Sequence, residues 1–181
     1  MKNKTKVFLS LSFPDVMRST MLGTLVAICN DIFRLPLRIP GHTSLYWMGI
    51  LVLGKGLIPR FGSGILMGII SGVLAVLLGL GKEGVFVFFK YFTPGLMLDV
   101  LAFLFMNRFD KVSVCVVTGT LISLAKLLAN IALGVVLKMP LVFLTLGIGY
   151  SAVTHTVFGA LGGFLAAILI KRLKPRLTSW D

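Results

Sequence analysis

Acidic residues are scarce in this chain. Of 181 residues only 6 are Asp or Glu, and charged residues of both signs make up 13%, about half the share of an ordinary soluble domain. Asp15, Asp31, Asp99 and Asp110 are too scattered to compose a paired-carboxylate centre. Cysteine is nearly missing as well. Cys29 and Cys115 lie in separate apolar runs, with no C-x-x-C and no Cys/His pair at zinc spacing, so both read as small packing residues. No repeat with a period of 20–50 residues is visible, and no low-complexity segment. The first dozen residues carry lysines and then a short apolar patch, Val7 to Phe13. That patch is too short for a signal-peptide core and lacks a small-residue cleavage site, so the N-terminus is expected to stay.

What the chain has in excess is apolar residues. They make up 57% of the sequence, with a mean hydropathy of +1.00 in 19.6 kDa. A globule of this size has too little interior to hide them, which excludes a soluble enzyme and a nucleic-acid binder. Six apolar stretches stand out, approximately Asp15–Phe33, Ser44–Ile58, Gly64–Leu80, Val85–Met106, Val112–Leu137 and Leu141–Ile170. The breakers between them are Leu35-Pro36-Leu37-Arg38-Ile39-Pro40-Gly41, Pro59-Arg60-Phe61-Gly62, Gly81-Lys82-Glu83-Gly84, Asn107 to Lys111, and Lys138-Met139-Pro140. Several runs exceed the ~9–11 residues of a barrel strand and show no alternation. The expected fold is therefore all-α: a polytopic membrane protein of six transmembrane helices in one compact bundle, a single membrane domain over 1–181. The second span is short enough to be tilted or partly re-entrant.

The net charge of +12 reads as an orientation signal. With the N-terminus inside, Lys2, Lys4, Lys6, Arg18, Arg60, Arg108, Lys111, Lys171, Arg172, Lys174 and Arg176 collect on the cytoplasmic side. The other side holds Arg34, Arg38, Lys82 and Lys138. This positive-inside bias places both termini in the cytoplasm and the chain in the cell inner (plasma) membrane as a multi-pass protein. Lys55, Lys90 and Lys126 fall inside apolar runs and need another reason.

Two motifs imitate nucleotide chemistry. Gly49-Ile-Leu-Val-Leu-Gly54-Lys55 has phosphate-loop spacing but continues with Gly56, where Ser or Thr would ligate magnesium. Gly147-Ile-Gly149-Tyr-Ser-Ala152 imitates a dinucleotide fingerprint. Both lie within apolar helical runs, without the preceding strand the chemistry needs. Asn3-Lys4-Thr5 is a formal glycosylation sequon on the inner side. No nucleophile or metal cluster supports catalysis, and no cofactor is called for.

Three features carry information. Small residues recur every fourth position as Ser19, Gly23 and Ala27, as Gly64, Gly68 and Gly72, and as Gly159, Gly163 and Ala167. Such stripes bring helix backbones together in lipid, inside the bundle or against a partner membrane protein. Polar residues also interrupt three consecutive spans: Lys90, Tyr91 and Asp99 beside Pro94-Gly95; Ser123, Lys126 and Asn130; Ser151 and His155 between Gly147 and Gly159. Charges at membrane depth usually face a cavity, and one shared pocket explains all three sets. Asp99 pairing with Lys126, a satisfied core His155 and a snorkelling Lys90 are the bland alternatives. Finally, Asn30, Asp31 and Arg34 end the first span, and Arg38 with Gly41-His42-Thr43-Ser44 leads to Tyr46-Trp47. This proline-held loop is placed to cap an outward-opening pocket, with Trp47 as a stacking face or, alternatively, as part of an interface belt.

Six spans with both ends inside, the Ser19-x-x-x-Gly23-x-x-x-Ala27 stripe and the Leu35-Pro36-Leu37-Arg38-Ile39-Pro40-Gly41 loop resemble the substrate-binding (S) components of energy-coupling factor transporters. The stripe is similar to that family's Ala-x-x-x-Ala contact motif, with Ser and Gly in place of alanine. The resemblance implies a receptor for a vitamin or vitamin precursor, energised by two cytoplasmic ATPases through a transmembrane coupling protein docked on Ser19, Gly23 and Ala27. The candidate substrate-binding residues are Asn30, Arg34, His42, Trp47, Lys90, Tyr91, Lys126, Asn130, Tyr150 and His155. Arg34, Lys90 and Lys126 favour an anionic or acceptor-rich molecule, and Trp47 or Tyr91 a flat ring. The alternatives are a structural or assembly subunit with no small ligand and, as a lesser one, a transition-metal uptake component built on His42, His155 and Asp31. Lipid is a partner in every reading, and nucleic acid in none.

Overall fold

A computed structural model of the chain describes residues 11–32, 42–81, 83–138 and 148–177. Its described residues form an all-helical bundle: α1 (Phe13–Ile32), α2 (Ser44–Leu57), α3 (Ser63–Leu77), α4 (Val87–Leu104), α5 (Val112–Val136) and α6 (Ile148–Leu177), with a 3-10 turn at Gly84–Phe86 ahead of α4.

Local chemistry sets the helix ends. The apolar run of α3 continues to Leu80, yet the helix stops at Leu77. Gly79 turns left-handed at φ +65°, and the Leu80 N–H reaches back to the Ala75 carbonyl at 2.9 Å, a glycine-dependent stop of the Schellman type. At the end of α4 the Asn107 N–H reaches the Ala102 carbonyl at 2.8 Å in the same way. The last helix runs on past the expected Ile170 to Leu177 and includes Pro175, because the basic residues Lys171, Arg172 and Lys174 end the apolar pattern without opposing helix. The stretch 141–147, expected to begin that span, lies outside the described residues.

The helices close into a ring in the spatial order α1–α3–α4–α5–α6–α2, and α2 leans inward to touch all the others. Its Trp47, Met48, Leu51 and Val52 form the middle of the core, with Met67 from α3, Leu98 from α4, Ile122 from α5 and Ile170 from α6 packed around them.

Glycine makes the tightest crossings. A Cβ on Gly95 of α4 would stand 2.5 Å from the Gly64 carbonyl oxygen of α3, and one on Gly119 of α5 would stand 2.5 Å from the Gly159 oxygen of α6. A Cβ on Gly23 of α1 would lie 2.8 Å from the Met67 oxygen of α3, and Ser19 and Ala27 are both fully buried. The stripe expected to offer a docking face is therefore buried within the bundle, with Gly23 against α3. Backbone contact between neighbouring helices is the same dispersion-driven packing that the stripe suggested, used internally.

The outer faces are apolar: Met21, Leu77, Phe103, Leu128, Val153 and Phe164 are all exposed. Water does not tolerate so extensive an apolar surface. Three segments, Gly84–Leu104, Val112–Val136 and Ile148–Pro175, are long and apolar enough to cross a membrane. Helices α2 and α3, with 14 and 15 residues, rise only ~21–23 Å at ~1.5 Å per residue, less than the ~30 Å of a hydrocarbon core. The chain is an all-helical, membrane-associated protein.

The α5–α6 crossing gives a direct test. Gly119→Val forces the two backbones apart and should cost about 1–3 kcal/mol or more, lowering the apparent Tm of the detergent-purified protein. Gly149→Ala, where an added Cβ meets nothing within 4 Å, should leave the Tm unchanged within error.

Candidate functional site

Two sets of polar side chains occupy opposite ends of the bundle. At the end where α2 passes into α3, the Lys55 ammonium and the Asp99 carboxylate form an ion pair with both side chains essentially inaccessible. Lys55 Nζ also donates to the Arg60 carbonyl at 2.8 Å and to Ser63 Oγ at 3.3 Å. Asp99 accepts backbone N–H groups from Gly62 at 3.1 Å, Gly64 at 3.3 Å and Ile65 at 2.8 Å. A carboxylate on α4 thus caps the N-terminus of α3, where orphan N–H groups and the helix dipole favour negative charge. Near the same end, Asp15 pairs with Arg60 at 3.1 Å and Asp110 with Lys174 at 2.6 Å. The alternative pairing of Asp99 with Lys126 is corrected: Lys55, from α2, is the partner. This centre is saturated, so it holds helices together and leaves nothing for a ligand.

The other end contains a cavity of about 170 Å³ lined by Trp47, Leu80, Glu83, Val87, Lys90, Tyr91, Lys126 and Asn130. Helix α2 supplies Trp47, α4 supplies Lys90 and Tyr91 from successive residues, and α5 supplies Lys126 and Asn130 one turn apart. The Trp47 and Tyr91 rings meet with centroids 4.2 Å apart at 45°. Lys90 on the rim is neutralised by Glu83 at 2.5 Å.

Lys126 is different. Its ammonium sits 3.5 Å above the centre of the Trp47 ring, and the residue is only 8% exposed. Among the described residues no carboxylate or hydrogen-bond acceptor meets it. A desolvated cation–π contact contributes about 2 kcal/mol, whereas removing an ammonium from water costs several kcal/mol even after relaxation. Trp47 therefore offsets only part of the burial. Asn130 Oδ1 and Trp47 Nε1 are also buried without a hydrogen-bond partner among the described residues.

His155 lies next to this region. Its Nδ1 is 3.0 Å from Ser123 Oγ on α5 and 3.2 Å from Ser44 Oγ on α2. Ser44 and Ser123 each sit one turn before a cavity residue, Trp47 and Lys126, so the imidazole ties α6 to the two helices that carry them. Among the described residues no three His, Cys, Asp or Glu side chains gather as metal ligands.

Of the ten candidate binding residues, the structure brings Trp47, Lys90, Tyr91, Lys126 and Asn130 to one cavity, with His155 bound to the hydroxyls that flank it. Tyr150 is 59% exposed and lines no part of this cavity. His42 is half-buried at the entry to α2, outside the cavity lining. The side chain of Asn30, and Arg34 altogether, lie outside the described residues. Two functional-looking residues escaped the sequence reading. Lys55 stood out only as a charge in an apolar run, and Glu83 as a loop residue. Its being the one Glu in the chain, seven positions before Lys90, was the available signal.

Comparison with protein-family models, with curated proteins and with solved structures found no match to this chain.

The buried pair at the first end yields a two-step test. Lys55→Met leaves Asp99 as an uncompensated buried charge and should destabilise the protein by about 3–5 kcal/mol. Lys55→Met combined with Asp99→Asn removes that charge and should recover part of the loss. Thermal unfolding of both variants in one detergent measures the difference, and a double variant no more stable than Lys55→Met contradicts the network described.

Proposed function

We propose that this chain is the substrate-binding membrane component of a small-solute uptake system. The observation that carries the reading is Lys126, an ammonium nine-tenths buried, seated on an aromatic face and lining a cavity without a counter-ion among the described residues. Intramembrane cations of this kind usually serve a substrate pathway or pair internally. Among the described residues Lys126 has no such internal partner, while Lys55, which has one, shows what a purely structural lysine in this chain looks like.

In this reading all six helices cross the membrane, with the shorter α2 and α3 accommodated by tilt or local thinning of the bilayer. Both termini face the cytoplasm, as the distribution of basic residues favours. The cavity then opens toward the outside of the plasma membrane, and the Lys55–Asp99 centre lies toward the inside. Uptake in this reading is driven by partners, a transmembrane coupling protein and two cytoplasmic ATPases, as in the energy-coupling factor transporters that the sequence resembles. With the Ser19–Gly23–Ala27 stripe buried within the bundle, the coupling protein docks on another surface.

A second reading, a structural or assembly subunit, is favoured by the Lys55–Asp99 and Ser44–His155–Ser123 clusters, which bridge helices. It gives Lys126 no role.

The two readings separate on small molecules retained by the purified chain. Mass spectrometry should detect a solute at near-stoichiometric amount with the unaltered protein, and at least tenfold less with Lys126→Ala/Asn130→Ala at equal membrane insertion. Equal retention by the double variant counts against this cavity, and recovery with an enzyme complex but no solute favours the assembly subunit.

A further inference from the structure

Building on the receptor reading, we infer that the cavity takes a compact organic monoanion, a single-ring or similarly small carboxylate, and discriminates against both its neutral and its doubly charged analogues. The juxtaposition across a small aromatic cavity of Lys90, paired with Glu83, and Lys126, without a counter-ion among the described residues, sets this selectivity.

Charge comes first. Two ammonium groups line the space, Lys90 and Lys126. Counting residues alone, they suit a dianion. The geometry reduces the count, because Glu83 already neutralises Lys90 at 2.5 Å, with both side chains less than one-fifth exposed. One positive charge is left, and it is the deeper and better desolvated of the two. A single carboxylate satisfies it with a charge-assisted hydrogen bond. A second carboxylate would meet Glu83 or the apolar side chains of Leu80 and Val87, and like charge or burial without a partner is costly.

Size and shape follow. The cavity volume is about 170 Å³, close to the ~150 Å³ of an apolar cavity known to hold benzene, which sets the ligand at about one ring with a small substituent. The Trp47 ring beneath Lys126 and the Tyr91 ring inclined to it give the apolar part of such a ligand aromatic walls. The amide of Asn130, one turn beyond Lys126 and unpartnered at Oδ1 among the described residues, offers a polar contact to a substituent. Where the carboxylate rests on the ammonium, it also completes the pairing that Trp47 leaves unfinished.

The probes are benzoate, benzamide and phthalate, titrated into the full chain purified in detergent and read by isothermal calorimetry. Benzoate should bind at least tenfold more tightly than benzamide and than phthalate. Lys126→Met should abolish the preference for benzoate over benzamide. Glu83→Gln frees Lys90 and should improve phthalate relative to benzoate by at least tenfold, a gain that a merely misfolded variant does not produce. Equal binding of benzoate and benzamide, tighter binding of phthalate by the unaltered chain, no binding of any probe, or no gain with Glu83→Gln each overturns the proposal. A neutral or cationic solute retained by the purified protein would overturn the monoanion assignment while leaving the receptor reading in place.

Discussion

The arrangement depends on one buried ion pair. Lys55 enters from α2, Asp99 from α4, and between them they also hold the α2–α3 connection and the first turn of α3. Three helices are thereby fixed at one end in a single geometry. The pair contributes little net stability compared with an apolar substitute, because both ions lose their hydration. What it supplies is register. A carboxylate that must meet three N–H groups and one ammonium allows α3 and α4 only one relative height, and that height brings Gly64, Gly68 and Gly95 face to face. The close glycine crossing and the ionic centre therefore specify each other.

With one end fixed, the other is set by how α2 leans across the ring. Its Trp47 reaches Tyr91 on α4 and lies under Lys126 on α5, while its Ser44 joins Ser123 and His155. The cavity is the space left where α2, α4 and α5 diverge. Its walls are held by contacts among its own lining residues, Trp47 with Tyr91 and Lys126 and Lys90 with Glu83, and by the Ser44–His155–Ser123 contacts beside it. The three lysines in the apolar runs now have three different environments: a complete network for Lys55, a single carboxylate for Lys90, and an aromatic face for Lys126. Only the last leaves a positive charge unanswered among the described residues.

Much of this was legible in the sequence because membrane burial makes composition informative. Apolar runs and their Pro and Gly breakers located the helices, and spacing of four marked the small-residue faces. Polar residues within apolar runs pointed to Lys90, Tyr91, Lys126 and Asn130, which the structure gathers at one cavity with Trp47. What could not be read was pairing between helices. Asp99 read as a partner for Lys126, whereas it meets Lys55, because α2 lies against α4, a contact between residues 44 apart in the chain. The Ser19–Gly23–Ala27 stripe is likewise ambiguous in sequence, since close packing looks the same whether the second backbone belongs to α3 or to another protein. The end of α3 at Leu77 was hidden for a different reason: apolar character continues through Leu80 while Gly79 turns the backbone.

The proposed role of Lys126, held on Trp47 to receive a ligand, is decided by an experimental density map of the full chain purified from its own membrane at a resolution that shows side chains. The map should show compact, non-protein density between the Lys126 ammonium and the inner faces of Trp47 and Tyr91, with Lys90 still on Glu83. A Lys126 ammonium bonded instead to a carboxylate of this chain, with the cavity closed around it, would rule that role out.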